Sequence, residues 1–111
     1  MLPTTQLADL VRRKHEALAQ LADAGRRQRE IVDQGDTAAL LKLLATKQTM
    51  IAALQQIEQE LKPYYGEDPE SRVWSSAEAR SRCAAEAVEC NRLLAEILEL
   101  ERGSADRMTI R

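Results

Sequence analysis

The sequence predicts an all-α fold, an antiparallel up-down-up bundle of three long helices in which a helical hairpin is joined by a third helix. Three observations support this expectation. Ala, Leu, Glu, Gln, Arg and Lys dominate, Phe is absent and β-branched residues are scattered singly, which is typical of long helices. Apolar residues recur at helical spacing in three segments of similar length. Turn-forming residues interrupt that spacing around Gly35 and between Pro63 and Trp74.

One domain is expected from the length of 111 residues, because a chain of this size forms a single hydrophobic core. We expect this domain to span residues 1–102 and a short tail to follow at residues 103–111. Basic and acidic side chains nearly balance, at 16 Lys and Arg against 18 Asp and Glu, and the two signs are interspersed. Nucleic-acid binding is not expected, because it requires a basic stripe or patch.

The sequence predicts a cytoplasmic protein that does not insert into a membrane. Its amino terminus lacks the basic segment and the apolar stretch of a secretory signal. The longest apolar stretch, residues 38–44, is interrupted by Lys42 and is too short to span a bilayer.

The first helix is predicted over Thr4–Gln34, where Pro3 precedes a stripe of apolar residues. Gly25 interrupts this stripe and would allow a slight bend or the close approach of a neighbouring helix. Gly35 and Asp36 then supply a helix stop followed by an N-cap. A tight turn between two antiparallel helices is therefore expected there.

The second helix is predicted over Thr37–Lys62 and is expected to end at Pro63. Its apolar residues cover about half of the circumference at roughly 100° per residue, so we expect it to contact both other helices. Lys47, like Lys14 in the first helix, interrupts the apolar face. The stem of each lysine could lie on the core while its ammonium reaches solvent. Alternatively, Lys47 could pair with a carboxylate of the third helix, for which Glu86 is the best candidate.

The third helix is predicted over residues 76–102. Ser75 and Glu78 have the spacing of a capping box at its start, and Gly103 with Ser104 is expected to end it. Small residues occupy the first half of its central apolar stripe, so this half forms a thin wedge that buries less surface. The stripe consists of Ala79, Cys83, Ala87, Cys90, Leu94, Ile97 and Leu98. An alternative assembly is a helical hairpin that completes its core only by dimerising.

The sequence contains few residues suited to catalysis or metal binding. His15, the single histidine, has no second His or Cys three or four residues away, as a metal site on a helix would require. Cys83 and Cys90 would lie about 10 Å apart at roughly 1.5 Å rise per residue, beyond disulfide reach. We expect both to be reduced, apolar core residues. Neither an enzyme nor a metal or cofactor site is therefore expected.

A protein partner is suggested by one flank of the third helix. Leu93, Ile97 and Leu100 recur there at spacings of four and three, an arrangement that can receive an amphipathic helix of another protein. The same side chains could instead complete the core of a closed bundle. Met108 and Ile110 are the large apolar residues of the tail and are the other candidate partner-binding residues.

Residues 28–58 resemble the FlgN family of flagellar type III export chaperones. A second likeness lies in the third helix, where an Asn precedes a pair of leucines, and the two stretches make up about a third of the chain while reaching from residue 28 to residue 94. The resemblance rests on Gln28, Gly35, Asp36, the paired leucines that follow, Lys47, Gln48, Ile51, Leu54, Ile57, Asn91, Leu93 and Leu94.

The resemblance implies a cytoplasmic chaperone that holds terminal helical segments of hook-associated proteins, those of the hook–filament junction, until export. Family members bind substrate through their carboxy-terminal helical region, which corresponds here to the third helix and the tail. The export apparatus is a second candidate partner. Family members can dock on its gate through an aromatic residue in the tail, but this chain has none after Trp74. A weak homodimer is compatible with this function, and the alternative is a coiled-coil structural adaptor that acts through homo-oligomerisation.

Overall fold

The computed structural model describes the backbone of residues 2–110 and the side chains of residues 2–103. It contains three long helices, α1 (Thr4–Gln34), α2 (Thr37–Tyr65) and α3 (Ala77–Ile110), with a short 3-10 helix at Pro69–Ser71. No strand occurs within residues 2–110. The three helices run up, down and up in a body of 53 × 20 × 20 Å. The predicted all-α, three-helix fold is confirmed.

α1 is the central helix of the bundle, because it packs against both α2 and α3. It buries adjacent residues such as Leu10 and Val11, or Leu21 and Ala22. Adjacent residues project about 100° apart, so burying both requires neighbours on two sides. Between the described parts of α2 and α3, no pair of Cα atoms lies within 8 Å. The prediction that α2 contacts both other helices therefore holds for α3 only through side chains, such as the ion pair of Lys47 with Glu101.

The predicted limits of α1 and the turn after it are confirmed. α1 spans Thr4–Gln34. Gly35 adopts φ 73° and ψ 20°, in the left-handed region where a residue without Cβ is favoured. The carboxylate of Asp36 accepts a hydrogen bond of 3.0 Å from the backbone N–H of Ala39. This bond satisfies one of the free N–H groups at the start of α2.

α2 continues through Pro63 to Tyr65, so the prediction that Pro63 ends the helix is wrong. Proline disrupts helices because it lacks an N–H and crowds the preceding turn, but here it lies in the last turn. Tyr64 is only 3% exposed, and its hydroxyl donates a hydrogen bond of 2.9 Å to the Pro3 carbonyl oxygen. This tertiary contact holds the last turn of α2 against the start of α1.

α3 begins one residue later than predicted. The hydroxyl oxygen of Ser76 accepts a hydrogen bond of 3.0 Å from the backbone N–H of Ala79. The prediction that Ser75 caps this helix is wrong by one residue, because the turn before α3 places the next serine at the helix start.

Gly25 allows α3 to approach α1 closely. A Cβ at Gly25 would lie 3.1 Å from Cδ1 of Leu100, which confirms that this glycine allows the close approach of a neighbouring helix. At Gly103 a Cβ would meet only the guanidinium of Arg29, the far end of a flexible side chain. The prediction that Gly103 ends α3 is wrong, because the helix continues to Ile110. Treating the tail as a separate unit stays a prediction.

The loop between α2 and α3 is fastened to the amino-terminal residues. The hydroxyl of Thr4 donates a hydrogen bond of 2.7 Å to the Val73 carbonyl oxygen. The carboxylate of Glu67 accepts hydrogen bonds from the Leu2 backbone N–H and from Nε of Arg72, both at 3.1 Å. The bond from the Leu2 backbone is the main cause of a lowered pKa of Glu67. These contacts place the start of α3 beside the start of α1.

The two cysteines lie in the core. Cys83 belongs to a buried cluster with residues of the first half of α1 and the end of α2, and Cys90 to a second cluster further along α1. Both are buried free thiols, and burial raises the pKa of both. The prediction that they are reduced core residues is confirmed.

Candidate functional site

A groove runs between α2 and α3 over α1, because the backbones of α2 and α3 do not meet in their described parts. Each helix lines it with residues three or four apart, which places them on one helix face. Two cavities of about 400 and 420 Å³ follow one another along this groove. Its length is about 27 Å along α3, at roughly 1.5 Å per residue. The lining residues include Leu7, Val11, Lys14, Leu18 and Leu21 of α1, Leu44, Lys47, Ile51, Leu54 and Leu61 of α2, and Cys83, Ala87, Cys90, Leu94, Ile97 and Glu101 of α3.

One half of this α2–α3 groove, the leucine section, exposes apolar side chains on both walls. Leu44 of α2 is 36% exposed and Leu94 of α3 is 44% exposed. Ile51 and Ile97 are half-buried beside them. Contiguous exposed apolar surface on a soluble protein commonly marks a binding site. The leucine section is therefore the first candidate for contact with a partner.

The leucine section exists because the apolar face of α3 is wider than its contact with α1. Leu93 and Leu100 are 4% and 9% exposed and belong to the core. Leu94 and Leu98 are 44% and 58% exposed. Leu94 and Leu98 were predicted to lie at the centre of the apolar stripe, and Leu93 and Leu100 on its flank. The structure instead buries Leu93 and Leu100 against α1, whereas Leu94 lines the groove and Leu98 is exposed outside the groove lining.

The predicted partner-binding residues are therefore divided between core and groove. Ile97 lines the leucine section. Leu93 and Leu100 lie in the core, which was the alternative for them. Met108 and Ile110 lie outside the residues whose side chains are described. That any of these residues binds a partner stays a prediction.

A buried lysine lies at one end of the leucine section. Lys47 is 6% exposed, and its ammonium donates a hydrogen bond of 2.6 Å to Oε1 of Gln28. The ammonium also forms an ion pair with Glu101. A pair between Lys47 and a carboxylate of α3 was one of the two expectations and is confirmed, but the partner Glu86 is wrong. The close approach of α3 to α1 instead brings Glu101 level with Lys47.

Lys14 lies near the middle of the groove. Its Nζ is 2.6 Å from an oxygen of Glu58, and the Tyr65 hydroxyl donates a hydrogen bond of 2.9 Å to the other oxygen of that carboxylate. Burial lowers the pKa of Lys14, but the hydrogen bond to Glu58 and nearby negative groups raise it by more, so the net pKa lies above its ordinary value. Lys14 therefore stays charged and bound to α2.

The other half of the groove is a pocket of about 400 Å³, termed here the small-residue pocket. Its α3 wall includes the small residues Cys83, Ala84, Ala87 and Cys90 beside Arg80 and Asn91, and Leu7 is among its apolar residues on α1. These small side chains match the predicted thin wedge. They leave space that longer side chains would fill.

Within the residues whose side chains are described, no group of His, Cys, Asp and Glu is arranged to hold a metal ion. His15 lines neither half of the groove. None of the described helices is long and apolar enough to cross a membrane.

Comparison with known proteins identifies one family. A family model described as FlgN protein matches residues 1–106, which is nearly the whole chain of 111 residues. No curated protein and no solved structure matches the chain significantly.

Proposed function

Because this chain belongs to the FlgN family, whose members are flagellar export chaperones and not enzymes, we propose that it is a cytoplasmic chaperone for hook-associated proteins before type III export. The partner class, a flagellar protein, follows from the family. The observation that carries the finer proposal is the α2–α3 groove, whose two walls leave leucines exposed to solvent.

The groove has the shape that the fourth helix of a bundle would fill. Side chains at spacings of three and four on each wall can interdigitate with those of an incoming helix. An amphipathic terminal helix of a client would place its apolar face against Leu44 and Leu94. Each large apolar side chain that becomes buried contributes about 1.5–3 kcal/mol before the entropic costs of association. A client helix held in this way could not assemble with other subunits.

The other residues that were predicted to bind a partner also have roles in this proposal. Ile97 lies beside the client helix, while Leu93 and Leu100 act by holding α3 on α1. Met108 and Ile110 would extend the contact beyond the groove, along the last turns of α3.

The proposal is tested by size and affinity measurements. The purified protein is expected to be a monomer or weak dimer and to form a discrete complex with at least one purified hook-associated protein of the same flagellum. Light scattering after gel filtration gives the masses, and calorimetry gives the affinity. A fixed oligomer that binds no hook-associated protein contradicts the proposal and favours the structural adaptor.

A matched pair of double variants tests the role of the groove. Replacing Leu44 and Leu94 with Gln removes two groove anchors and is expected to lower affinity by more than about tenfold. Replacing Leu41 and Val88 with Gln alters leucine and valine side chains that are more exposed but do not line the groove, and should leave affinity unchanged. Equal losses in both double variants contradict groove binding.

A further inference from the structure

We infer that the small-residue pocket is an anchor site for one bulky apolar side chain of the client. One helical turn before or after that side chain, the client carries an acidic residue that pairs with Arg80. This inference rests on the proposed chaperone function and specifies the client segment that the groove accepts. Three observations carry it: the short alanine side chains on the α3 wall of the pocket, the charge of its lining, and its continuity with the leucine section.

The pocket and the leucine section have similar volumes, about 400 and 420 Å³, but their walls differ in side-chain length. Ala84 and Ala87 line the pocket and are exposed to solvent, so at these two positions the α3 wall reaches only one carbon beyond the backbone. In the leucine section the walls carry Leu44 and Leu94 instead. A client helix therefore fits with a large residue over the alanines and smaller residues between the leucines.

The charged residues that line the pocket are all cations, namely Lys14, Arg72 and Arg80. The first two are held by glutamates at 2.6 and 3.1 Å. Arg80 has a weaker partner, since its guanidinium is 3.9 Å from Glu70 and both side chains are more than half exposed. Water screens such a pair and leaves it little net strength. Arg80 is thus the rim cation best able to accept a carboxylate from the occupant.

The position of the pocket fixes the class of occupant. Its residues continue the same faces of α1, α2 and α3 that line the leucine section, so one helix can lie in both halves. On a helix, residues three or four apart lie on one face. The occupant is therefore an amphipathic helix in which a bulky apolar residue and an Asp or Glu are separated by one turn, and which otherwise presents smaller apolar residues.

Filling the pocket provides a direct test. Ala87→Leu places a larger side chain in the pocket, whereas Ala85→Leu adds the same side chain to an exposed position of α3 that does not line it. Calorimetry with the hook-associated protein that wild type binds is expected to show a loss of about tenfold or more for Ala87→Leu, because the anchor side chain is excluded. Ala85→Leu should bind like wild type. Equal affinity of Ala87→Leu and wild type overturns the inference.

The charge is tested by a second matched pair. Arg80→Gln is expected to lower affinity severalfold at low salt and to have less effect at high salt, where the carboxylate contact is screened. Arg82→Gln, an exposed position outside the pocket lining, should have no effect. If Arg80→Gln and Arg82→Gln bind the client with the same affinity and salt dependence, the inference is overturned. This comparison tests the inference even if Ala87→Leu fails to fold. Failure of wild type to bind any hook-associated protein overturns the proposed function instead.

Discussion

The ion pair of Lys47 and Glu101 links α2 to α3 across the groove. The free energy of unfolding that is lost when this pair is removed can be estimated from the burial of its two side chains. In Glu101→Gln the ammonium, which is 6% exposed, keeps only Gln28 as a described partner. Removing one member of a fully buried pair costs about 3–5 kcal/mol. Because the Glu101 side chain is 47% exposed, water compensates part of the loss, and we expect about 1–3 kcal/mol. Lys47→Met should cost a similar amount, since it leaves the buried Gln28 amide without its donor.

A double-mutant cycle measures the pair itself. Denaturant unfolding of wild type, Lys47→Met, Glu101→Gln and the double variant gives the four free energies of unfolding. The double variant is expected to be more stable than the sum of the two single losses predicts, by about 1–3 kcal/mol, because each single variant already breaks the pair. Glu99→Gln, which is exposed on the same helix, serves as the control and should change stability by less than about 0.5 kcal/mol. Additive losses would refute the ion pair between Lys47 and Glu101.

Three further predictions concern stability. Leu93→Ala removes a core side chain and should cost about 2–5 kcal/mol, whereas Leu98→Ala should stay within about 0.5 kcal/mol in thermal melts; equal melting temperatures would refute the assignment of Leu93 to the core and of Leu98 to the exposed surface. Gly25→Val should destabilise by about 1–3 kcal/mol, because the added carbons meet Leu100, and an unchanged denaturant midpoint would show that the helices are further apart. The lowered pKa of Glu67 stabilises the fold above its unfolded pKa of about 4.3, and this contribution is lost as pH falls through the lower native pKa. Glu67→Gln should therefore lose less stability than wild type between neutral and acid pH, and parallel pH profiles would contradict the amino-terminal hydrogen bond.

The sequence was sufficient to predict the three helices, both limits of α1 and the start of α2, because these limits depend on local chemistry. The left-handed conformation of Gly35 and the cap at Asp36 involve neighbours within four residues. The end of α2 was mispredicted because it depends on a hydrogen bond from Tyr64 to Pro3, which lies 61 positions away in the sequence. Local rules for proline describe the cost of Pro63 in a helix but not the tertiary contact that offsets it.

The groove was harder to predict, since helical periodicity gives the width of an apolar face but not the part that meets a neighbour. Leu93 and Leu94 are adjacent and chemically identical, yet one is core and the other lines the groove. The choice depends on how α3 is rotated on α1, which is set by the close contact of Leu100 with Gly25. The same contact explains why Lys47 pairs with α3 as expected but at another carboxylate. The sequence feature that could have indicated a groove was the apolar face of α3, which is wider than contact with one neighbouring helix requires.

The most direct test of client binding in the α2–α3 groove is methyl NMR of the free protein and of its complex with a hook-associated protein. With Leu, Ile and Val methyl groups labelled, the account predicts that the signals of Leu44, Ile51 and Leu94 shift or broaden on binding. The signal of Val88, which is 68% exposed but lies outside the groove lining, should stay unchanged. Binding that perturbs Val88 and leaves the three groove residues unchanged would contradict the account.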